Sequence, residues 1–134
     1  MPSRTSPGGS LFPYYYKNGE LYGAHFGSFH DDEDRLLALM KAEEDFIARQ
    51  SHPLPVWIDF YENKLSDRIL VEFIQSMQRL QRYITRLAIV GCSKKDQRRI
   101  KHLEQQLQTE LPRPLHYFLD PEVAKTWLVS EGNS

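Results

Sequence analysis

Short apolar segments alternate with longer segments of helical periodicity, and this alternation restricts the chain to a small group of folds. VWIDF at 56–60 and RLAIVG at 86–91 are typical of short buried strands, and a further short strand is expected at 115–118. Asp120-Pro121-Glu122 predicts the start of a last helix, with a capping residue, a proline at the first turn and an acid. Apolar residues recur at helical spacing in three other stretches: 31–49, 67–84 and 94–110. Strands that alternate with helices form a mostly parallel sheet through right-handed crossovers.

The residues before the first helix predict a β-hairpin. LFPYYYKNGELYGAHFG, at 11–27, has two aromatic-rich segments around Asn18-Gly19, a pair that tolerates the positive φ angles of a type I′ turn. A turn at this pair places Lys17 opposite Glu20. Because neighbouring strand residues point to opposite faces, at least one of the hairpin tyrosines is expected on the surface. These tyrosines are Tyr14, Tyr15, Tyr16 and Tyr22.

Chain length and composition indicate one domain. A chain of 134 residues closes a single core. Residues 1–10, MPSRTSPGGS, have little to bury and are predicted to be a disordered tail. Residues 11–131 are predicted to form one α/β sandwich, with a mostly parallel five-stranded sheet, an N-terminal antiparallel hairpin and about four helices.

Cysteine content and hydropathy favour a cytoplasmic protein. Cys92 is the single cysteine, so no internal disulfide forms, and the N-terminus has no apolar stretch typical of a secretory signal. No apolar run is long enough to predict a membrane span.

Charge is nearly balanced overall but unevenly distributed. The net charge is -1, yet residues 31–45 are rich in acids and residues 79–101 are rich in bases. Opposed patches favour recognition of a protein partner, or head-to-tail association into a homodimer. The basic helix has no aromatic residue on which a base could stack, which disfavours nucleic acid as a partner.

GCSKK, at 91–95, resembles part of a phosphate-binding loop but lacks its glycines. A Walker loop needs a second glycine directly before the lysine, so that backbone N–H groups can surround the phosphates. Ser93 with Asp96 is typical of a helix cap instead. Ser93, Lys94 and Lys95 remain a candidate anion site at a helix N-terminus. Cys92, beside the same helix start, is interpreted as a small turn residue rather than a reactive thiol.

Several short motifs occur in the order and spacing of a known family. Gly27 is followed by an acidic helix start, and WID at 57–59 ends a strand in an aspartate. Downstream come AIVG at 88–91, HYF at 116–118 and AKTWL at 124–128. In these motifs the chain resembles the SpoIIAA-like family, a branch of the STAS- and SEC14-related α/β domains. The resemblance implies a module without catalysis, which binds a protein partner or a small ligand.

The resemblance also implies a candidate regulatory loop. In STAS anti-sigma-factor antagonists, a strand ending in aspartate leads to a serine that is phosphorylated at the start of a helix. The corresponding residues here are Asp59, Ser66 and Asp67, although the second serine and the glycine of the family loop are missing. Ser66 is first of all predicted to be a helix cap. His25, His30 and the acids at 31–34 lack the convergent spacing of a metal site, so no metal or other cofactor is expected.

Three functional hypotheses follow. The first is a non-enzymatic cytoplasmic regulatory or protein-binding module. The second is a carrier of a small apolar or anionic ligand, related to the SEC14 branch, which would need a cavity with apolar walls. The third is a hydrolase or transferase, which would need a cleft where ionisable groups with shifted pKa values converge.

Overall fold

The fold is an α/β sandwich in the computed structural model of the chain, which describes residues 4–27, 29–50 and 52–130. The strands are β1 (Arg4–Thr5), β2 (Leu11–Phe12), β3 (Tyr14–Tyr16), β4 (Gly19–His25), β5 (Leu54–Asp59), β6 (Ile84–Val90) and β7 (Leu115–Phe118). The α-helices are α1 (Glu33–Ala48), α2 (Asp67–Arg79), α3 (Lys94–Leu107) and α4 (Pro121–Val129). The predicted fold class, a mostly parallel five-stranded sheet with an antiparallel hairpin and four helices, is confirmed.

The strands of the main sheet follow chain order. The order is β3-β4-β5-β6-β7, in which β3 is antiparallel to β4 and the other neighbours are parallel. The helices α1, α2 and α3 pack side by side on one face, and α4 packs against the other face. The carboxyl ends of β4 to β7 therefore share one edge of the sheet, and β7 is an edge strand.

Alternate residues of the strands supply two cores. Val56 and Ile58 of β5 face the larger core beneath α1, α2 and α3, whereas Trp57 faces the smaller core beneath α4. From α2 the larger core receives Ile69, Leu70, Phe73, Ile74 and Met77, all of them buried. Leu128 and Ala124 of α4 close the smaller core.

Side-chain caps begin the helices where the sequence predicts them. Ser66, Ser93 and Asp120 each accept a hydrogen bond from a backbone N–H in the first turn of α2, α3 and α4. The predicted second helix is shorter than expected, because it ends at Arg79 and Ile84 already belongs to β6. Within the described ranges no helix combines the length and the apolar character needed to cross a membrane.

The turn of the hairpin lies one residue earlier than predicted. Lys17 and Asn18 have positive φ angles of 48° and 70°, so they are the central residues of the turn. Gly19 already belongs to β4, where an added Cβ would lie 2.6 Å from Cβ of Val129. This glycine therefore permits the close approach of α4. The predicted pairing of Lys17 with Glu20 is wrong because Lys17 lies in the turn.

The tyrosines of the hairpin divide between the two faces. Tyr15 is 66% exposed, which confirms that at least one of them lies on the surface. Tyr14 and Tyr16 pack against the smaller core, and Tyr22 is buried in the larger one.

The prediction of a disordered tail over residues 1–10 is wrong for the part that the structure describes, residues 4–10. β1 pairs with β2, and both Ser6 and Ser10 are buried. The Oγ of Ser6 donates to Oε1 of Glu43 at 3.1 Å, and the Oγ of Ser10 donates to the carbonyl of Gly23. Hydrogen bonds of buried polar side chains hold this segment in place, so its low content of apolar residues does not make it disordered. Residues 1–3 and the predicted domain limit at 131 lie outside the described residues.

Candidate functional site

The predicted regulatory serine joins the starts of two helices. The Oγ of Ser66 accepts a hydrogen bond from the N–H of Ile69 at 3.3 Å and donates one to the carboxylate of Glu33 in the first turn of α1. Asp67 forms an ion pair with Arg99 of α3, with 2.6 Å between Oδ1 and Nη2. Ser66 is therefore the predicted cap, and its phosphorylation stays a prediction.

Ser66→Ala is expected to lower the free energy of unfolding by about 1 kcal/mol, because it removes the cap of α2. Urea titration followed by circular dichroism measures the loss. Ser130→Ala is the matched control, since Ser130 lies beyond the end of α4 and its Oγ hydrogen bonds to described residues are exposed. A loss for Ser66→Ala no greater than the control's would contradict the capping role.

Asp59 contacts different residues from those at the cap of α2. Its Oδ1 accepts from the N–H of Tyr61 at 2.9 Å, and its Oδ2 lies 3.9 Å from Nδ1 of His25 at the end of β4. Burial raises the pKa of Asp59, but the His25 imidazole and the Tyr61 N–H outweigh burial, so the pKa lies below its usual range. The predicted set of Asp59, Ser66 and Asp67 thus has three different groups of partners.

The residues of the candidate anion site at the start of α3 also have different roles and surroundings. The Oγ of Ser93 accepts from the N–H of Asp96 at 3.0 Å, as a cap does. Lys94 and Lys95 are consecutive on the helix, so they point in different directions and line two separate depressions. Cys92 is buried, and burial together with Asp96 raises the pKa of its thiol to about 12, which agrees with the interpretation as an unreactive turn residue.

Burial and ion pairing remove several residues from the predicted charge patches. Glu43 and Glu44, counted in the acidic stretch, are buried. Glu44 accepts two hydrogen bonds at 2.8 Å from Arg79, which lower its pKa and use one of the counted bases. Arg99 is held by Asp67 and Asp96. Among the other bases of this stretch, Lys94, Arg98 and Lys101 lie on α3.

These bases border a groove between α3 and β7, with a volume of about 730 Å³. The groove, called the α3–β7 groove below, is lined by Lys94, Gln97, Arg98, Lys101, Glu104, Gln105, Gln108, Thr109, Glu110, Arg113, Leu115 and Tyr117. One wall is a face of α3 and the other includes the edge strand β7.

Three cations follow one another along the helical wall. Lys94, Arg98 and Lys101 are at positions i, i+4 and i+7, so they share one face of α3. In residues 4–27, 29–50 and 52–130, no carboxylate lies within 4.0 Å of these three side chains. Their charges are therefore not neutralised by ion pairs in the described structure.

The acid of α3 that lines the groove is turned into the protein. Glu104 is buried and its Oε2 accepts from the N–H of Leu111 at 2.7 Å. Nη2 of Arg113 lies 3.4 Å from the same oxygen. Glu104 thus stabilises the segment that leads into β7, and its charge is matched by Arg113.

The opposite wall offers backbone groups. The N–H of Leu87 in β6 donates to the carbonyl of Pro114 at 3.0 Å. In a parallel ladder this pattern turns the N–H and C=O groups of Leu115 and Tyr117 towards the outer edge of the sheet. No other described residue hydrogen-bonds to these outward groups. An extended chain could therefore pair with β7.

The side chain of Tyr117 is partly buried beside the groove. Burial, with smaller effects of Cys92 and Glu104, raises its pKa, so the phenol is neutral at physiological pH.

Within the described ranges, no group of three or more His, Cys, Asp or Glu side chains is placed to hold a metal ion.

Comparison of the chain with models of protein families, with curated proteins and with solved structures finds no match. Sequence reasoning identified Lys94 but not the groove. The spacing of Lys94, Arg98 and Lys101 was the signal that could have indicated one basic face.

Proposed function

We propose that this chain is a non-enzymatic binding module, which holds an extended acidic segment of a partner protein in the α3–β7 groove. The proposal rests on one juxtaposition: cations on α3 face the outer edge of β7, and among the described residues neither these cations nor the outward backbone groups of β7 have partners. An added strand would satisfy the backbone groups, and its acidic side chains would pair with the cations.

The dimensions of the two walls suit this arrangement. Successive side chains on one face of a strand are about 6.6 Å apart. The intervals between Lys94, Arg98 and Lys101 correspond to about 6 Å and about 4.5 Å along the helix axis. Long basic side chains can adjust to this difference. An acid at every second residue of the bound segment is therefore the pattern that the groove would prefer.

Binding is favoured over catalysis by the titratable groups of the groove. General acid–base chemistry needs a group whose pKa lies near the working pH. The pKa of Tyr117 is displaced upwards by burial, away from neutrality. The resemblance to SpoIIAA-like domains of the STAS and SEC14 group also supports a module that acts by binding, and regulation of a partner in the cytoplasm belongs to the same proposal.

The test uses a fluorescently labelled peptide of eight residues that alternates valine and glutamate. Its binding is measured by fluorescence anisotropy at low ionic strength. Replacement of Lys94, Arg98 and Lys101 by glutamine is expected to weaken binding by about threefold to 150-fold, since each exposed ion pair contributes about 0.2–1 kcal/mol. Added salt should weaken binding to the unmodified chain as well.

Two controls separate the groove from general electrostatic attraction. Lys95→Gln removes a charge from the same helix but outside the α3–β7 groove, so its effect should be less than that of Lys101→Gln. A peptide with glutamine in place of glutamate should bind much more weakly. Equal losses for Lys95→Gln and Lys101→Gln, or equal binding of the two peptides, would overturn the proposal.

A second peptide tests the pairing with β7. N-methylation of alternate residues removes backbone donors and leaves every charge in place. If the peptide adds a strand, methylation on the strand-facing residues should abolish binding, whereas methylation on the other residues should be tolerated. Association of the chain with itself in light scattering, with no binding of the peptide, would assign the groove to a homodimer instead.

A further inference from the structure

A second concavity lies on the opposite face of the sheet, where α4 crosses β4 and β5. It has a volume of about 250 Å³, below the range of about 300–1,000 Å³ typical of sites for drug-sized ligands. Its walls include Leu11 and Tyr14 on one side and Trp57 and Lys125 on the other. A site of this size suits a small molecule with about one ring.

One donor that borders this cavity has no acceptor among the described residues. Trp57 is 5% exposed, and its indole N–H makes no hydrogen bond to any described residue. Gly23 lies directly beside this nitrogen, where an added Cβ would be 2.4 Å from Nε1. The indole nitrogen retains access to the cavity, since no described side-chain N or O atom is both fully enclosed and unpaired. An indole N–H of a largely buried tryptophan usually finds an acceptor, and this one can reach an acceptor in the cavity.

The second donor is an ammonium group among aromatic rings. Nζ of Lys125 lies 5.1 Å from the ring centre of Trp57 and 5.5 Å from that of Tyr14. The Lys125 side chain is only 16% exposed, and Oε1 of Glu122, at 4.0 Å, is its one carboxylate neighbour in the described part of the chain. At that separation the ammonium donates no hydrogen bond to Glu122. The ammonium can therefore donate hydrogen bonds to a further acceptor.

Neighbouring residues fix the position of Trp57 and of the adjoining wall of the cavity. The ring of His25 packs edge-on against Trp57, with ring centres 4.9 Å apart, and Asp59 in turn lies 3.9 Å from Nδ1 of His25. The Oγ of Ser10 donates to the carbonyl of Gly23, which fixes the segment that carries Leu11. The cavity is therefore formed by ordered contacts on several sides.

We infer that this cavity binds a small organic carboxylate on a flat or short apolar body. The carboxylate would accept a hydrogen bond from the indole of Trp57 and pair with the ammonium of Lys125, while the body packs against Tyr14 and Leu11. Inorganic phosphate carries more charge and more acceptor oxygens than these donors can satisfy, and the apolar walls would disfavour it.

Nuclear magnetic resonance provides a direct test, because the chain has two tryptophans and hence two indole N–H signals. Benzoate is added to the ¹⁵N-labelled chain, and benzamide, which has the same shape without the charge, is the matched ligand control. Benzoate is expected to shift the Trp57 signal saturably, with a Kd on the order of 1 mM or lower. The signal of Trp127, which is outside the cavity, is the internal reference.

Two variants of the cavity and one control variant test this binding. Lys125→Met should weaken benzoate binding by about tenfold or more, because it removes the charged partner. Leu11→Glu adds a carboxylate at a position that is 52% exposed, so it should keep the fold and also weaken binding. Lys101→Gln, in the α3–β7 groove, should bind benzoate as the unmodified chain does.

The following results would contradict binding of a carboxylate in this cavity. Absence of a saturable shift, equal responses to benzoate and benzamide, or tighter binding of inorganic phosphate than of benzoate would overturn the inference. Undiminished binding of benzoate by Lys125→Met and Leu11→Glu would overturn it too. Loss of binding in Lys101→Gln would place the ligand in the α3–β7 groove and contradict the cavity.

Discussion

Phe73→Ala is expected to lower the free energy of unfolding by about 3–5 kcal/mol. Phe73 is fully buried in the middle of α2, and its ring packs edge-on against Phe60 with centres 4.9 Å apart. Truncation removes apolar surface from the core and leaves a cavity that the sheet and the helices cannot fully close. The loss would be a large share of the roughly 5–15 kcal/mol that stabilises a typical domain.

Urea unfolding measures this loss, with Leu119→Ala as the control. Leu119 is 97% exposed, so its truncation should change the free energy of unfolding by less than about 0.5 kcal/mol. A cost for Phe73→Ala as small as the control's would contradict its position at the centre of the larger core.

Tyr22→Phe is expected to cost about 1–3 kcal/mol at neutral pH, because it removes a hydrogen-bond donor from the buried carboxyl group of Glu43. The hydroxyl of Tyr22 donates to Oε2 of Glu43 at 2.5 Å, and Ser6 donates to Oε1 of the same carboxylate. Burial and the Glu43 charge raise the pKa of Tyr22, so its hydroxyl keeps its proton.

The cost of Tyr22→Phe should depend on pH. Burial raises the pKa of Glu43 and outweighs the donors, Tyr22 first among them, that lower it. A raised pKa in the folded state means that this carboxyl stabilises the fold most at low pH and loses that contribution as pH rises through the folded pKa. Removal of the hydroxyl raises that pKa further, so the variant should lose more stability at about pH 8 than at about pH 4.

Urea titrations at the two pH values test this dependence. Tyr15→Phe is the matched control, since Tyr15 is 66% exposed and should show no loss at either pH. In a Glu43→Gln background the pH dependence of the Tyr22→Phe cost should disappear. Equal costs at both pH values in the unmodified background would contradict the burial of an ionisable Glu43.

The main elements of the fold could be predicted because local signals agreed. VWID and LAIV are apolar runs of strand length, and they occur in β5 and β6. Ser66, Ser93 and Asp120 are followed by helical patterns, and each caps a helix. Boundaries were less certain, because only tertiary packing ends α2 at Arg79 and assigns Ile84 to a strand.

The failures of prediction have a common cause, which is contact between residues far apart in sequence. The local pair Asn18-Gly19 predicts that Gly19 lies in the turn. In the structure Gly19 belongs to β4, where the lack of a side chain leaves room for Val129 of α4. Residues 4–10 were predicted to be disordered by composition, but Glu43, a helical residue of α1, holds Ser6. No local pattern contains that information.

The candidate sites show the same limit. The basic face of α3 is visible as a spacing in the sequence, whereas its position beside the edge of β7 follows only from the sheet order. The cavity at Trp57 depends on Gly23 from a neighbouring strand and on Lys125 from α4. The two sites lie on opposite faces of the sheet, so both ligands could be held at once.

Mapping of the acidic peptide on the ¹⁵N-labelled chain is the measurement that most directly tests the proposed function. The alternating valine–glutamate peptide should perturb the backbone signals of Leu115 and Tyr117 and those around Arg98 and Lys101. It should also protect the outward N–H groups of Leu115 and Tyr117 from exchange with solvent. Perturbations confined to other surfaces, or unchanged exchange at β7 with the peptide saturating, would contradict strand addition in the α3–β7 groove.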